Sequence, residues 1–322
     1  MTALRGSPRD PATTPGPLMG AVVTALGTMG AVVALGWLLG RRGVLGERAA
    51  PVLARVVFAV ATPALLLTTV AHADLHLLLS RTAVVTWAST VAVALVAALV
   101  LRFGLRRSAA DVTVGTLASS YVNAGNIGLP LAVYLLADPV AVVPTLLFQL
   151  LVLAPVAFTV LDARTGPLRP GPVVRRTLSN PIIVGTLVGL LLATLPWNLP
   201  EVVYEPFRLV GAAAAPLALL TFGMALAVPR TVDTTAPRAD LALAVVLRAV
   251  VHPVLAWGLG TALGLPAHAL LAVVAMAALP TAQNVLVYAM QYRRGEALAR
   301  DAGLVTTVLC VPVLLVVAAA LG

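Results

Sequence analysis

The sequence predicts an all-α membrane protein of ten transmembrane helices, arranged as two inverted five-helix repeats. Three observations carry that expectation. The chain is apolar and nearly uncharged along its whole length, its arginines collect on alternate loops, and residues spaced through the first half return in the second.

Of 322 residues, 60% are hydrophobic and only 10% are charged, and the mean hydropathy is +1.02. A water-soluble domain keeps roughly a quarter of its residues charged, so the solvent of this chain is lipid. A spanning helix needs about 20 apolar residues, and lipid supplies no hydrogen-bond partners, so only helices or closed barrels cross it. The apolar runs here are long and do not alternate, which excludes a barrel. Spans are expected at about 18–40, 49–71, 82–101, 112–137 and 140–161, then at 179–199, 203–228, 239–263, 267–291 and 302–321. Residues 1–17, rich in Pro, Ser and Thr, read as a disordered extracytoplasmic tail. The first run is too long for a signal-peptide core and lacks a basic stretch before it. The Pro-containing stretch 162–178 divides a first repeat (18–161) from a second (179–322) as a cytoplasmic linker.

The net charge of +9 comes from arginine alone, as the chain has no lysine. These arginines sit in short loops, where they set topology; a nucleic-acid partner is not expected. One set of loops and helix ends carries 15 of them and the other only Arg5, Arg9, Arg81 and Arg208. The Arg-rich side is cytoplasmic by the positive-inside rule, which puts both termini outside, in a multi-pass protein of the cytoplasmic membrane. The one cysteine, Cys310, lies inside an apolar run. It reads as a small core residue, and no metal-ligand spacing is present.

The repeat is read from three matches. Arg55, Pro63 and Thr68 of span two return as Arg208, Pro216 and Thr221 of span seven, at an offset of 153. Tyr134 and Tyr288 are 154 apart, and Pro155 and Pro312 are 157 apart. Five spans per copy is an odd number, so the copies have opposite topology, as in inverted-repeat transporters.

Span four contains Ser119-Ser-Tyr-Val-Asn123-Ala-Gly125-Asn126-Ile-Gly128-Leu-Pro130. Pro130 removes a backbone donor, while Gly125 and Gly128 permit non-helical backbone. Unwound backbone at membrane depth survives only where protein buries it or it lines a wet cavity. The amides of Asn123 and Asn126 then offer donors and acceptors to a ligand; the alternative is a kinked helix whose Asn side chains hold it to a neighbour. Span nine has a comparable interruption, Pro280-Thr281-Ala282-Gln283-Asn284. On the Tyr134/Tyr288 register, Asn126 corresponds to Pro280 and Pro130 to Asn284. Paired interruptions point to a transporter site. If the broken helices cross, their half-helix N-termini converge and suit an anion.

The Asn-x-Gly-Asn-x-Gly-x-Pro run resembles the fourth span of the auxin efflux carrier family of membrane transport proteins. Similar, too, are Asn180-Pro181-Ile-Ile-Val-Gly185, Pro216 through Gly223-Met-Ala-Leu, and Leu279-Pro280 through Tyr292. The resemblance runs in order from about 18 to 321. It implies ten spans, crossed broken helices four and nine, and movement of small organic acids. The long cytoplasmic loop of the plant carriers is missing, so neither their regulation nor auxin as substrate carries over.

Other polar residues have plainer readings. Arg55 and Arg208 snorkel to the interface, and Asn180 caps a helix that begins with Pro181. Arg248 and His252, four apart, share a face of span eight and are candidates for a charge or proton role. No Asp or Glu sits at a span centre, no nucleotide-binding loop is present, and no catalytic constellation suggests an enzyme or a cofactor. The expected function is a secondary or facilitated transporter moving a small organic anion such as a carboxylate by alternating access. Its site comprises Asn123, Gly125, Asn126, Gly128, Pro130, Pro280, Thr281, Gln283 and Asn284. The alternative is a receptor that binds such a ligand without moving it, and a homodimer is compatible with either reading. Topology is checked with Ser7→Cys and Thr165→Cys and an impermeant thiol reagent on intact cells. Labelling at position 7 and none at 165 is expected; the reverse pattern would invert the assignment.

Overall fold

The computed structural model describes residues 16–46, 48–72, 80–162, 171, 175, 178–195, 200–227 and 235–321. The expected tail 1–17 lies outside them apart from 16 and 17, which open the first helix, as does most of the linker 162–178. The described residues form helices and no strand. In chain order these are α1 (Gly16–Arg42), α2 (Ala49–Val70), α3 (Arg81–Gly104), α4 (Ala109–Ser120), α5 (124–134) and α6 (Pro139–Leu161). There follow α7 (Pro181–Thr194), α8 (Glu201–Ala227), α9 (Arg238–Ala262), α10 (Ala267–Ala277), α11 (Gln283–Tyr292) and α12 (Glu296–Leu321). Among the described residues, α2, α3, α6, α8, α9 and α12 are each long and apolar enough to cross a membrane, and α7 and α10 are shorter apolar helices. Apolar side chains cover their outer faces: Leu191 on α7 is 61% exposed and Val308 on α12 is 74% exposed. Only hydrocarbon solvates such a surface at no cost.

Proline dictates where these helices distort. Five π-turns occur among the described residues, and four of them end two residues before a proline. These are Val57–Ala61 before Pro63, Ala124–Gly128 before Pro130, Gln149–Leu153 before Pro155 and Leu247–Val251 before Pro253. A proline cannot donate to the carbonyl four residues back, and its ring crowds that carbonyl. In each case the affected carbonyl belongs to the central residue of the π-turn, so the helix widens there to a longer hydrogen bond.

Spans four and nine are each two rods. Tyr121–Asn123 separates α4 from α5, and residues 278–282 separate α10 from α11. The remaining helices pack in two groups. α1 lies along α8, and α2 lies along α7 and α8. α3, α4, α6, α9, α10 and α12 pack on one another. α3 and α9 are tied near both ends: Arg107 Nη2 donates to Asp240 Oδ1 at 2.8 Å, and Arg81 Nη1 donates to the Leu263 carbonyl at 3.2 Å. Arg107 lies in the connection after α3, and its bond to Asp240 holds the guanidinium above its ordinary pKa.

Helix bounds return at a nearly constant spacing. The starts of α3 and α9 are 157 apart, those of α4 and α10 are 158 apart, and the ends of α5 and α11, Tyr134 and Tyr292, are 158 apart. On this spacing Tyr134 pairs with Tyr292, four residues beyond the Tyr288 of the sequence register. The Pro155 and Pro312 match keeps this spacing; the Arg-Pro-Thr match does not.

Glycines set the two closest helix approaches. A Cβ on Gly36 would lie 2.1 Å from the Leu220 carbonyl oxygen, and one on Gly40 2.9 Å from that of Met224. A Cβ on Gly185 would lie 2.6 Å from the Pro63 oxygen, and one on Gly189 2.7 Å from that of Leu67. Small residues let backbones approach this way in lipid, where packing rather than hydrophobicity holds helices together. Gly185→Val and Gly36→Val are expected to destabilise the protein by ~1–3 kcal/mol through overpacking. Gly258→Val, where a Cβ meets nothing within 4 Å, is the control. Thermal unfolding in detergent reads the difference, and equal melting of all three variants would refute the close approach.

Candidate substrate site

The extended segments of the two broken helices meet as an isolated antiparallel bridge between Val122 and Thr281. The Asn123 N–H donates to the Pro280 carbonyl at 2.8 Å, and the Ala282 N–H donates to the Tyr121 carbonyl at 3.0 Å. Unwound backbone thus finds its partners in the opposite break, as membrane depth requires. Thr281 locks the junction: its N–H donates to Thr306 Oγ1 at 3.0 Å, and its hydroxyl donates to the Ala118 carbonyl at 2.6 Å. Beyond the junction α5 and α11 begin, and their first N–H groups lack intrahelical acceptors. Asn123 supplies one acceptor, its Oδ1 taking the Asn126 N–H at 3.3 Å. Asn126 Nδ2 reaches across to Gln283 Oε1 at 3.3 Å, and the Tyr121 hydroxyl interacts with Asn284 and Tyr288.

A cavity of about 710 Å³ opens against this junction. Asn123, Gly125, Asn126, Gln283 and Asn284 line it, as do Arg55, Thr62 and Gln149. Gly128, Pro130, Pro280 and Thr281 do not reach it; they shape the backbone behind it. Neither Gly125 nor Gly128 has a positive φ, so their conformational freedom is not what the fold uses. A Cβ on Gly128 would come within 2.8 Å of Leu279 Cδ1, whereas one on Gly125 would meet nothing. Gly128 permits a close helix contact, and Gly125 leaves the cavity wall open.

Arg248 and His252 also lie away from the cavity. Arg248 Nη2 donates to the Ala277 carbonyl at 2.9 Å, and His252 Nε2 sits 3.4 Å from both Ser89 Oγ and Thr90 Oγ1.

The chain matches the family of membrane transport proteins over residues 21–162 and 171–318, nearly its whole length. It belongs to the auxin efflux carrier family. It is 33% identical over 229 residues to a protein of Rhizobium meliloti (strain 1021) named "Putative malonate transporter", across 66% of this chain and 69% of that protein. This auxin efflux carrier family member is accordingly a multi-pass protein of a membrane transport family.

Sequence reasoning missed several residues that this family member brings to its cavity. Gln149 is 2% exposed, and neither its Nε2 nor its Oε1 has a partner. The Asn123 Nδ2 is likewise buried without one. Buried amides are ordinarily satisfied; both of these residues line the cavity instead. A lone amide amid Phe148 and Leu150 was the available signal. Asn180 caps α7 as expected, its Oδ1 taking the Ile182 N–H at 3.0 Å, and it lines the cavity as well. Arg55 is exposed, and it also contributes the one cationic side chain among the described cavity residues. Only the packing of α2 against the junction could reveal that. Gln149→Leu is expected to raise the stability of the ligand-free protein by ~1 kcal/mol or more, since it removes an unpaired buried amide of similar size. Ligand binding should weaken in the same variant. Thermal melts with and without ligand read both signs, and a destabilised Gln149→Leu would mean the amide is satisfied structurally.

Proposed function

We propose that the protein is a secondary or facilitated transporter for a small organic anion, a carboxylate of the malonate class, working by alternating access. One observation carries the reading. Two broken helices meet at Val122 and Thr281, and the amides beside that meeting, those of Asn123 and Gln149 with unpaired atoms, open onto a single cavity that also holds Arg55. A carboxylate accepts hydrogen bonds and donates none. The half-helix N-termini, the Asn and Gln amides and the Arg55 fork provide donors and positive potential. The malonate named in the relative's description is an anion of this chemical class.

In this proposal the ten spans form two inverted repeats, 18–161 and 179–322. The recurring helix bounds favour it, and so do the glycine contacts. Gly36 and Gly40 of α1 rest on Leu220 and Met224 of α8, while Gly185 and Gly189 of α7 rest on Pro63 and Leu67 of α2. Leu220 and Met224 each follow their α2 counterpart by 157 residues. Both termini are extracytoplasmic, because Arg-rich loops mark the inner face. The cavity then opens inward, since Arg55, Phe158 and Asn180 lie near the Arg-rich ends of their helices. The outward state requires the α1, α2, α7 and α8 group to shift against the other.

Each negative charge carried out of the cell draws about 2.3 kcal/mol per 100 mV from an inside-negative potential, roughly fifty-fold in concentration ratio per charge, and a dicarboxylate carries up to two. The test is flux of labelled malonate in proteoliposomes, with potential and pH gradient imposed separately. Saturable flux that follows potential is expected. Asn126→Ala and Asn284→Ala should each weaken binding by ~1.5–3 kcal/mol, the worth of a hydrogen bond to a charged group. Normal binding by both variants would remove the crossing as the site. Saturable binding without flux would favour a receptor.

A further inference from the structure

The two broken helices have carbonyl ends as well as amide ends. The C-terminus of a helix carries about half a negative charge and leaves its last carbonyls without intrahelical donors. In inverted-repeat transporters such carbonyl ends hold the coupling sodium or proton. Here donors of the protein itself reach both ends. At the end of α4, the Ala118 carbonyl takes the Thr281 hydroxyl. At the end of α10, the Val274 and Met276 carbonyls take backbone N–H groups of Ala278 and Leu279. The terminal Ala277 carbonyl takes the Arg248 guanidinium at 2.9 Å.

Arg248 is unusual in its setting. It is 0% exposed, the largest side chain buried to that degree, and its Nε and Nη1 have no partner. The ion pairs Arg107–Asp240, Arg208–Glu205 and Arg300–Asp301 do not include it. A guanidinium does not give up its proton to relieve burial, so a full positive charge resides there. A buried charge in a membrane segment is retained only against a partner that offsets its desolvation. The partner here is the negative end of a half-helix. The π-turn Leu247–Val251, forced by Pro253, carries the residue.

We propose that Arg248 is a tethered cation. It permanently occupies the carbonyl end of α10, where an exchangeable coupling cation would otherwise bind, and so makes carboxylate movement independent of sodium. The inference rests on the transporter reading for its consequence, but its physical core concerns only cation occupancy. Arg248 is thus a positioning residue: it acts on substrate through the half-helix and the fixed charge beside the crossing.

The experiment measures melting temperature in detergent for the wild type, Arg248→Ala and Arg248→Lys. Sodium chloride, choline chloride and millimolar methylguanidinium are compared at constant ionic strength. The wild type should melt identically in sodium and choline. Arg248→Ala should melt lower and recover by roughly 2–4 °C or more with methylguanidinium, as a ligand filling a vacated site does. In proteoliposomes the same variant should lose about tenfold in malonate flux and regain part of it with methylguanidinium, a response that a packing defect would not give. Arg248→Lys should keep sodium-independent flux. Wild-type melting or flux that depends on sodium overturns the proposal, and so does an Arg248→Ala protein indifferent to methylguanidinium. If Arg248→Ala does not survive purification, Arg248→Lys decides: flux absent, or present only with sodium, overturns it. A wild type that moves no malonate refutes the transport reading, and the melting measurements still decide the occupancy of the α10 end.

Discussion

The hydrocarbon interior of a bilayer offers backbone groups no partner, and every other feature of this protein answers to that constraint. Breaking a membrane helix exposes N–H and C=O groups, each of which costs free energy if left unpaired. Here two breaks are placed against each other, so that Asn123 donates to Pro280 and Ala282 donates to Tyr121. The pair of bonds makes each break tolerable only in the presence of the other. Remove one interruption and the other is left with orphaned backbone.

From that junction the rest follows in order. Thr281 and Thr306 supply hydroxyl partners that hold the crossing in one register. Gly128 lets Leu279 approach. The amide ends of α5 and α11 lie at the cavity wall. The carbonyl ends are closed by Thr281 and Arg248. A site assembled this way is polarised by backbone geometry and holds its positive charge in arginine side chains. That polarity is what the proposed anionic substrate rests on.

Proline has two distinct effects in this chain. Pro280 lies in an extended break and lends only its carbonyl. Pro63, Pro130, Pro155 and Pro253 lie inside helices and widen the preceding turn. Three of those widened turns line the cavity and the fourth carries Arg248, so the local distortion that proline imposes is also where polar side chains are turned inward. Pro312 stays within a regular helix, and nothing in the surrounding packing explains the difference.

Apolar run length, arginine distribution and the Asn-Gly-Pro interruptions were legible in the chain itself, because each depends on local chemistry: transfer to lipid, loop charge and backbone propensity. They were enough to predict a helical membrane transporter and the two helices that break. Three things belong to the tertiary structure alone. The recurring spacing of 157–158 residues is read from helix ends, since Leu, Ala and Val recur too often to align on. Gln149 and Arg55 reach the cavity because α6 and α2 pack beside the junction, and no spacing along the chain reports that neighbourhood. Arg248 meets the end of α10 across 29 residues of sequence, a pairing set by how α9 and α10 lie together in space.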